Sequence, residues 1–325
     1  MSRQKVILIA GLGAIGSILY SRLDRTNAKL VCLTSKRGTM DIREKGLVVK
    51  LITDETPKIH KVDVHEFLPD KYKFKKCIVA TKAYNNQVLA DYLVDYMDDD
   101  SSILLFQNGI NVEQPFAEKE KDWKITRAVS SVGAYRDEKY VTETAIGETK
   151  LGVINYSGGD EIKEWKTVLS SIGLEATIPG DFPEDFAYHY WLKAIVNSTI
   201  NPIGSITKLK NGDIIKDKQL LDLIERIVDE LIAILADMIT IPRSYALETI
   251  HKIARITSGN KCSMLQDLEN GVETEIDYLN GKFLEIGKNK EIVSPINSKL
   301  VSIIKSLSEK SEPEELAILE FKSLL

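Results

Sequence analysis

The run Gly11-Leu12-Gly13-Ala14-Ile15-Gly16 stands between an apolar stretch and an amphipathic one. Glycines at this spacing serve three ends: a tight turn at Gly11, close approach of backbone to a pyrophosphate at Gly13, and helix against sheet at Gly16. The helix N-terminus adds N–H donors and positive dipole. Gly11, Leu12, Gly13, Ala14, Ile15 and Gly16 are thus the expected seat of a dinucleotide, the alternative being a glycine-rich turn without a ligand. The end of the next strand reads which dinucleotide, because an acid there holds a ribose 2′-hydroxyl and basic residues neutralise a 2′-phosphate. Here it is Thr34-Ser35-Lys36-Arg37, with no acid before Asp41. NADP (NADPH) is therefore expected over NAD, with either Lys36 or Arg37 on the phosphate; otherwise the two decorate a solvated loop.

A second group is Lys193, Asn197 and Asn201, spaced i, i+4, i+8 among the apolar Ile195, Val196 and Ile200. On a helix they project from one side and line a cavity, unless the helix is a surface one with a polar stripe. Asn201 precedes Pro202 and is expected at the helix end, because the residue before proline avoids helical geometry. Hydride transfer to a ketone leaves an oxyanion to be stabilised and protonated. A protonated lysine does both: its reference pKa of about 10.4 falls on desolvation and is held up by a nearby carboxylate. His189, four residues earlier, is the alternative acid. Asn260, Ser263 and Glu275 supply amide, hydroxyl and carboxylate, Glu275 to orient Lys193 or a substrate hydroxyl and Ser263 to donate to a substrate carboxylate.

The elements that must position these groups fall into two textures. From Lys5 to Thr177 short β-rich runs alternate with turns and helical stretches: Val6–Ala10, Leu30–Thr34, Leu47–Leu51, Cys77–Ala80, Ile103–Phe106 and Ile125–Val129, then β-like runs at Lys139–Thr144 and Thr149–Ile154. Continuous Val, Ile and Leu mark strands covered on both faces, so the fold class is α/β, a doubly wound Rossmann-type domain. Thr81-Lys82-Ala83-Tyr84 and Gln107-Asn108-Gly109 then fall at strand ends, where open sheets gather ligands. After the breakers of Ile178–Pro183 helical periodicity prevails, with expected helices at Glu184–Thr199, Ile214–Met238, Arg243–Thr257, Glu273–Lys288, Asn297–Ser308 and Glu314–Leu325. The domains are accordingly 1–180, NADP-binding, and 181–325, all-helical and bearing substrate and catalytic groups.

The 325 residues carry 43 basic and 48 acidic side chains, a net charge of −5, with 43% hydrophobic residues. That composition suits a soluble globular protein rather than a disordered chain. Without basic clusters it does not suit a nucleic-acid partner, and no apolar run reaches the ~18 residues of a membrane span. Cys32, Cys77 and Cys262 form neither a C-x-x-C pair nor a disulfide framework, as expected in a reducing cytoplasm. Met1-Ser2-Arg3-Gln4 leads straight into an apolar strand, so neither a signal nor a transit peptide is expected. No metal site is expected. The apolar sides of the helices after residue 280 pack within their own domain or form a dimer contact, so the chain is a monomer or homodimer.

Further motifs follow the glycine loop in order: Thr81-Lys82-Ala83, Gln107-Asn108-Gly109, Trp191-x-Lys193 with Asn197 and Asn201, Asn211-Gly212, and Ser263-Met-Leu-Gln-Asp267 before Thr274-Glu-Ile-Asp-Tyr-Leu-Asn-Gly281. On these, and most specifically on the last two, the chain resembles the ketopantoate reductase (2-dehydropantoate 2-reductase) family. The resemblance implies NADPH-dependent reduction of the 2-oxo group of ketopantoate to pantoate, a step of pantothenate and coenzyme A synthesis, on a small-molecule 2-oxo acid. It makes Lys193 the general acid, with Glu275 and Ser263 on the substrate and Asn108, Asn197, Asn201, Asn211 and Asn260 as polar lining. It puts Lys82 near cofactor and substrate, and counts Asn108 and Glu275 among the cofactor contacts. The loop after the second strand is shorter than the family pattern, and Cys262 replaces a small hydroxyl residue, reading as a space-filler. The rivals are a reductase of other branched 2-oxo acids, a catalytically idle NADP-binding sensor, and an interaction protein.

Overall fold

A computed structural model describes residues 6–26, 28–155, 159–180, 183–311 and 313–325. The first residues, and Asp181 and Phe182 of the breaker cluster, lie outside the described residues. The chain forms two compact units, Met1–Phe186 and Ala187–Leu325, where the sequence placed the change at 180.

The first unit is an α/β domain. Its strands are β1 (Val6–Ala10), β2 (Lys29–Leu33), β3 (Leu47–Lys50), β4 (Lys58–His60), β5 (Val64–His65), β6 (Phe74–Val79), β7 (Met97–Leu105), β8 (Lys124–Ser130), β9 (Gly133–Arg136), β10 (Val141–Ala145), β11 (Glu148–Val153) and β12 (Glu175–Thr177). Eight of them form a sheet in the order β12-β11-β8-β7-β6-β1-β2-β5. Its pairs are parallel except β11 against β8. The stretch β5-β2-β1-β6-β7-β8 is the 3-2-1-4-5-6 arrangement of a Rossmann fold, whose strand order reverses between β1 and β6. In register Leu8 faces Val31 on one side and Cys77 on the other, and all three are buried because helices cover both faces.

The helices of this unit are α1 (Ala14–Leu23), α2 (Lys36–Lys45), α3 (Asn86–Leu93), α4 (Gln114–Ala117) and α5 (Asp160–Ser171). A second sheet, β4-β3-β10-β9, which the sequence reading does not separate from the first, packs against α1. It buries a bidentate pair: Arg22 Nε and Nη2 of α1 each donate at 2.7 Å to the Glu143 carboxylate of β10. Glu143 also accepts from Ile52 N at 3.0 Å, and Arg22 Nη1 donates to Ile172 O at 2.8 Å, so the buried charges are paired and hydrogen-bonded.

The second unit is helical: α6 (Pro183–Thr207), α7 (Asn211–Ile214), α8 (Lys218–Leu235), α9 (Arg243–Ile256), α10 (Ser263–Glu269), α11 (Asn280–Asn289), α12 (Pro295–Glu309) and α13 (Glu314–Lys322). Helix α8 buries Leu220, Leu223, Ile224, Ile227, Val228, Leu231, Ile234 and Leu235, one continuous apolar face. The expected helix from Ile214 to Met238 is broken at its start, where Asp217 caps α8 by accepting from Gln219 N and Leu220 N at 2.8 and 3.1 Å. The expected helix from Glu273 begins with a short 3₁₀ turn, Ile276–Tyr278, before α11. Helix α10 was not expected.

The largest correction concerns Asn201. Helix α6 does not end there but runs through Pro202 to Thr207. Proline removes the N–H that would donate to Ser198 O, and the buried Asn280 replaces it, donating from Nδ2 to Ser198 O at 2.8 Å. The same amide donates to Asn297 Oδ1 at 2.8 Å, and Asn297 Nδ2 donates to Glu230 Oε2 at 2.8 Å. The Glu230 carboxylate further accepts from Ile296 N and Asn297 N at 2.9 and 3.0 Å, at the N-terminus of α12. A proline inside a helix is thus made tolerable by a tertiary donor, information absent from the local sequence.

Leaving a buried carbonyl without a donor costs about 1–3 kcal/mol, so Asn280→Ala is expected to lower the unfolding free energy by that order in urea denaturation. In a Pro202→Ala background, where the backbone N–H is restored, the same substitution costs measurably less; an equal cost in both backgrounds would disprove the repair.

Candidate active site

In the first unit the glycine loop lies at the β1/β6 switch point. Gly11 has φ +97° and its N–H donates to Leu33 O of β2 at 2.8 Å. A Cβ on Gly11 would meet Thr81 N at 2.6 Å, and one on Gly16 would meet Gly11 O at 1.9 Å. By contrast, a Cβ on Gly13 meets nothing within 4 Å. Turn, close packing and an open approach therefore divide among the three glycines. Gly13 is also the N-cap of α1 with no side chain capping it, so the first-turn N–H groups carry no side-chain acceptor. This is a cradle that fits a pyrophosphate.

At the end of β2, Ser35 caps α2 by accepting from Gly38 N at 3.2 Å. Lys36 and Arg37 are exposed in its first turn, where no acid occurs. They lie on a helix N-terminus rather than in a loop, a setting that favours an anion.

The loops after β6 and β7 are tied together by side-chain amides. Gln107 Nε2 donates to Thr81 O at 2.6 Å and to Asn86 Oδ1 at 2.8 Å. Asn86 Nδ2 returns a bond to Gln107 Oε1 at 3.0 Å and donates to Val112 O at 2.7 Å. Arg127, almost wholly buried, donates from Nη2 to Gly109 O at 2.7 Å. Lys82 and Asn108, both half-buried, are thereby held on neighbouring strand ends. Asn86 and Arg127 are missing from the sequence reading: an asparagine in Tyr-Asn-Asn-Gln reads as a turn, and an arginine inside a strand gives no local signal.

In the second unit Lys193, Asn197 and Asn201 share one side of α6. Lys193 and Asn197 are half-buried and Asn201 is buried, while Ile195, Val196 and Ile200 pack inward. The segments carrying Asn211, Asn260 and Ser263 converge on the end of this helix. Asn211 N donates to Asn260 O at 3.0 Å and Asn211 Nδ2 to Thr257 Oγ1 at 2.9 Å. Cys262 is more than a space-filler: its Sγ caps α10, accepting from Leu265 N at 3.4 Å, and donates to Asn201 O at 3.5 Å. Gly204 leaves room for the sulfur, 3.2 Å from where its own Cβ would sit. Burial pushes the Cys262 thiol above its ordinary pKa, which disfavours the thiolate. Ser263 is exposed in the first turn of α10. Glu275 is buried at the start of the 3₁₀ turn that precedes α11. His189 stacks edge-on against Tyr188, ring centroids 6.0 Å apart.

One further cluster has the composition of a nucleophilic triad: Ser21 Oγ lies 2.9 Å from His60 Nε2, and His60 Nδ1 2.7 Å from Asp24. Ser21 is wholly buried, so its hydroxyl does not reach a substrate and the cluster ties α1 to β4. Among the described residues no helix is long and apolar enough to cross a membrane, and no group of three or more His, Cys, Asp or Glu side chains is set to hold a metal ion.

Comparison with known proteins bears on both units. Residues 7–156 match the family model described as Ketopantoate reductase PanE/ApbA, and residues 185–308 match Ketopantoate reductase PanE/ApbA C terminal. The 2-dehydropantoate 2-reductase of Pyrococcus horikoshii is 30% identical over 305 residues, 92% of this chain and 96% of that protein. Two solved structures share the fold: a PanE/ApbA family ketopantoate reductase from Ralstonia eutropha JMP134, TM-score 0.82 at 20% identity over 94% of this chain and 99% of the other, and a D-mandelate dehydrogenase in a ternary structure with NADH and anilino(oxo)acetate, TM-score 0.82 at 23% identity over 94% and 98%.

The glycine geometry separates two substitutions. Gly16→Ala drives a methyl group into a backbone oxygen and is expected to lower the melting temperature by more than about 5 °C. Gly13→Ala meets open space and is expected to shift it by no more than about 2 °C. Differential scanning calorimetry distinguishes them, and equal shifts would contradict the division of roles.

Proposed function

Because the chain belongs to the ketopantoate reductase family, we propose that it reduces the 2-oxo group of ketopantoate (2-dehydropantoate) to pantoate, with NADPH as donor, in the synthesis of pantothenate and coenzyme A. The observation that carries this reading is the stripe Lys193–Asn197–Asn201 along one side of a continuous helix whose Ile195, Val196 and Ile200 pack inward. The cofactor, when bound, supplies the hydride. The open Gly13 peptide and the uncapped N-terminus of α1 fit its pyrophosphate. Lys36 or Arg37, in a helix turn free of acids, fits a 2′-phosphate. Lys82 and Asn108 stand at the strand ends beside the switch point.

In this reading Lys193 donates its proton to the oxygen that gains charge as the carbonyl is reduced, and its ammonium stabilises that oxygen beforehand. Glu275 favours the charged lysine and orients it or a substrate hydroxyl. Asn197, Asn201, Asn211 and Asn260 supply amide groups around the substrate, and Ser263 offers a hydroxyl to its carboxylate. A site that hydrogen-bonds the ketopantoate hydroxyl rejects analogues lacking it far more strongly than an apolar pocket rejects one methylene.

Two measurements test this. Steady-state rates with ketopantoate, 2-oxoisovalerate and 2-oxoisocaproate, each with NADPH and NADH, are expected to favour ketopantoate with NADPH. A preference for another 2-oxo acid, or an advantage of about tenfold for NADH, would overturn substrate or cofactor respectively. Lys193→Ala is expected to lower kcat by about two to four orders of magnitude with NADPH affinity nearly intact; substantial residual turnover would reject the lysine as acid.

A further inference from the structure

The glycine loop is held from outside the dinucleotide fold. Arg136 is the last residue of β9, an edge strand of the second sheet. Its Nη2 donates to Leu12 O at 2.8 Å and to Ser17 Oγ at 2.9 Å. The Ser17 hydroxyl in turn donates to the same Leu12 O at 3.2 Å. Leu12 O and Gly13 N–H are the two ends of one planar trans peptide and point in opposite directions. Fixing the carbonyl end therefore fixes the aim of the amide end, away from the guanidinium. A full positive charge on the carbonyl also polarises the peptide, strengthening its N–H as a donor to an anion.

We infer that Arg136 is a positioning residue for cofactor binding, using the second sheet to orient the Leu12–Gly13 peptide so that the Gly13 N–H meets the dinucleotide pyrophosphate. The inference rests on the dinucleotide reading above. It gives the second sheet a task that the Rossmann order does not explain: α1 lies against it, Arg22–Glu143 clamps them together, and Arg136 carries that rigidity to the loop. Preorganising a binding peptide raises affinity by reducing the ordering required when the ligand arrives. The acid facing the guanidinium is Asp41 of α2, which offsets part of its charge. Orientation of the peptide, rather than long-range attraction, is therefore the larger contribution.

Ligands of different composition separate this role from direct charge recognition. Isothermal titration of the full chain uses NADPH, ADP-ribose, which has the pyrophosphate without the 2′-phosphate, and 2′-AMP, which has the reverse. Arg136→Met is expected to weaken NADPH and ADP-ribose by about tenfold and to leave 2′-AMP unchanged. Arg136→Lys, which keeps one charged donor, is expected to recover part of the loss. Ser17→Ala removes the second donor to Leu12 O without touching Arg136; it is expected to shift the same two ligands in the same direction by a smaller factor, and decides the matter if Arg136→Met does not fold. Unchanged affinities in Arg136→Met and Ser17→Ala would overturn the inference, as would a loss confined to NADPH and 2′-AMP, which would make Arg136 a direct 2′-phosphate ligand. Failure of the wild-type protein to bind any of the three would overturn the dinucleotide reading itself, and the inference with it.

Discussion

A backbone carbonyl released from its ladder inside the protein must find another donor, and much of this structure is arranged around that requirement. Strand ends at the switch point of the sheet and a helix that continues through proline both release such groups. Leu12 O takes its donors from Arg136 and Ser17. Thr81 O is satisfied by Gln107, Val112 O by Asn86, Gly109 O by Arg127 and Ser198 O by Asn280. These donors are amides and guanidinium groups, which hold several N–H bonds in fixed directions at once. Each of these donors therefore ties its own segment to the one whose carbonyl it serves.

The requirement links stability to function without merging them. The buried Asn280 and Asn297 and the half-buried Glu230 form one hydrogen-bonded chain that ends on the N–H groups of α12, where a carboxylate gains from the helix dipole. None of the three was assigned a chemical role from the sequence, yet Asn280 supplies the donor that Ser198 O lacks in the helix that carries Lys193, Asn197 and Asn201. Cys262 belongs to the same economy: a thiol accepting from one helix start and donating to Asn201 O does work that a serine would do. Its burial makes it a structural group rather than a reactive one.

Charge follows a similar division. The chain is net negative at −5, while a dinucleotide and a 2-oxo acid are both anions. The cationic groups proposed to meet these ligands are Lys36, Arg37, Lys82 and Lys193, and the α1 N-terminus adds its dipole. Elsewhere the buried Glu143 is paired with Arg22, and the half-buried Glu230 accepts from backbone N–H groups, so both carboxylates are partly compensated where they lie.

The strands of the main sheet were legible from the sequence because buried parallel strands read as unbroken apolar runs. The steric division among Gly11, Gly13 and Gly16 followed from spacing, since steric limits on backbone approach are local. Side-chain periodicity likewise placed Lys193, Asn197 and Asn201 together. What the sequence left open depended on partners far along the chain. The end of α6 was misjudged at Asn201 because proline's local preference is overridden by Asn280, 82 residues away from the carbonyl it serves. The second sheet was missed because its strands are short and their pairing, β10 with β3, joins segments about ninety residues apart, with Val141 beside Val49. Periodicity and spacing report what each residue does to its neighbours; donors such as Asn86, Arg127, Arg136 and Asn280 are chosen by groups that only folding brings within hydrogen-bond reach.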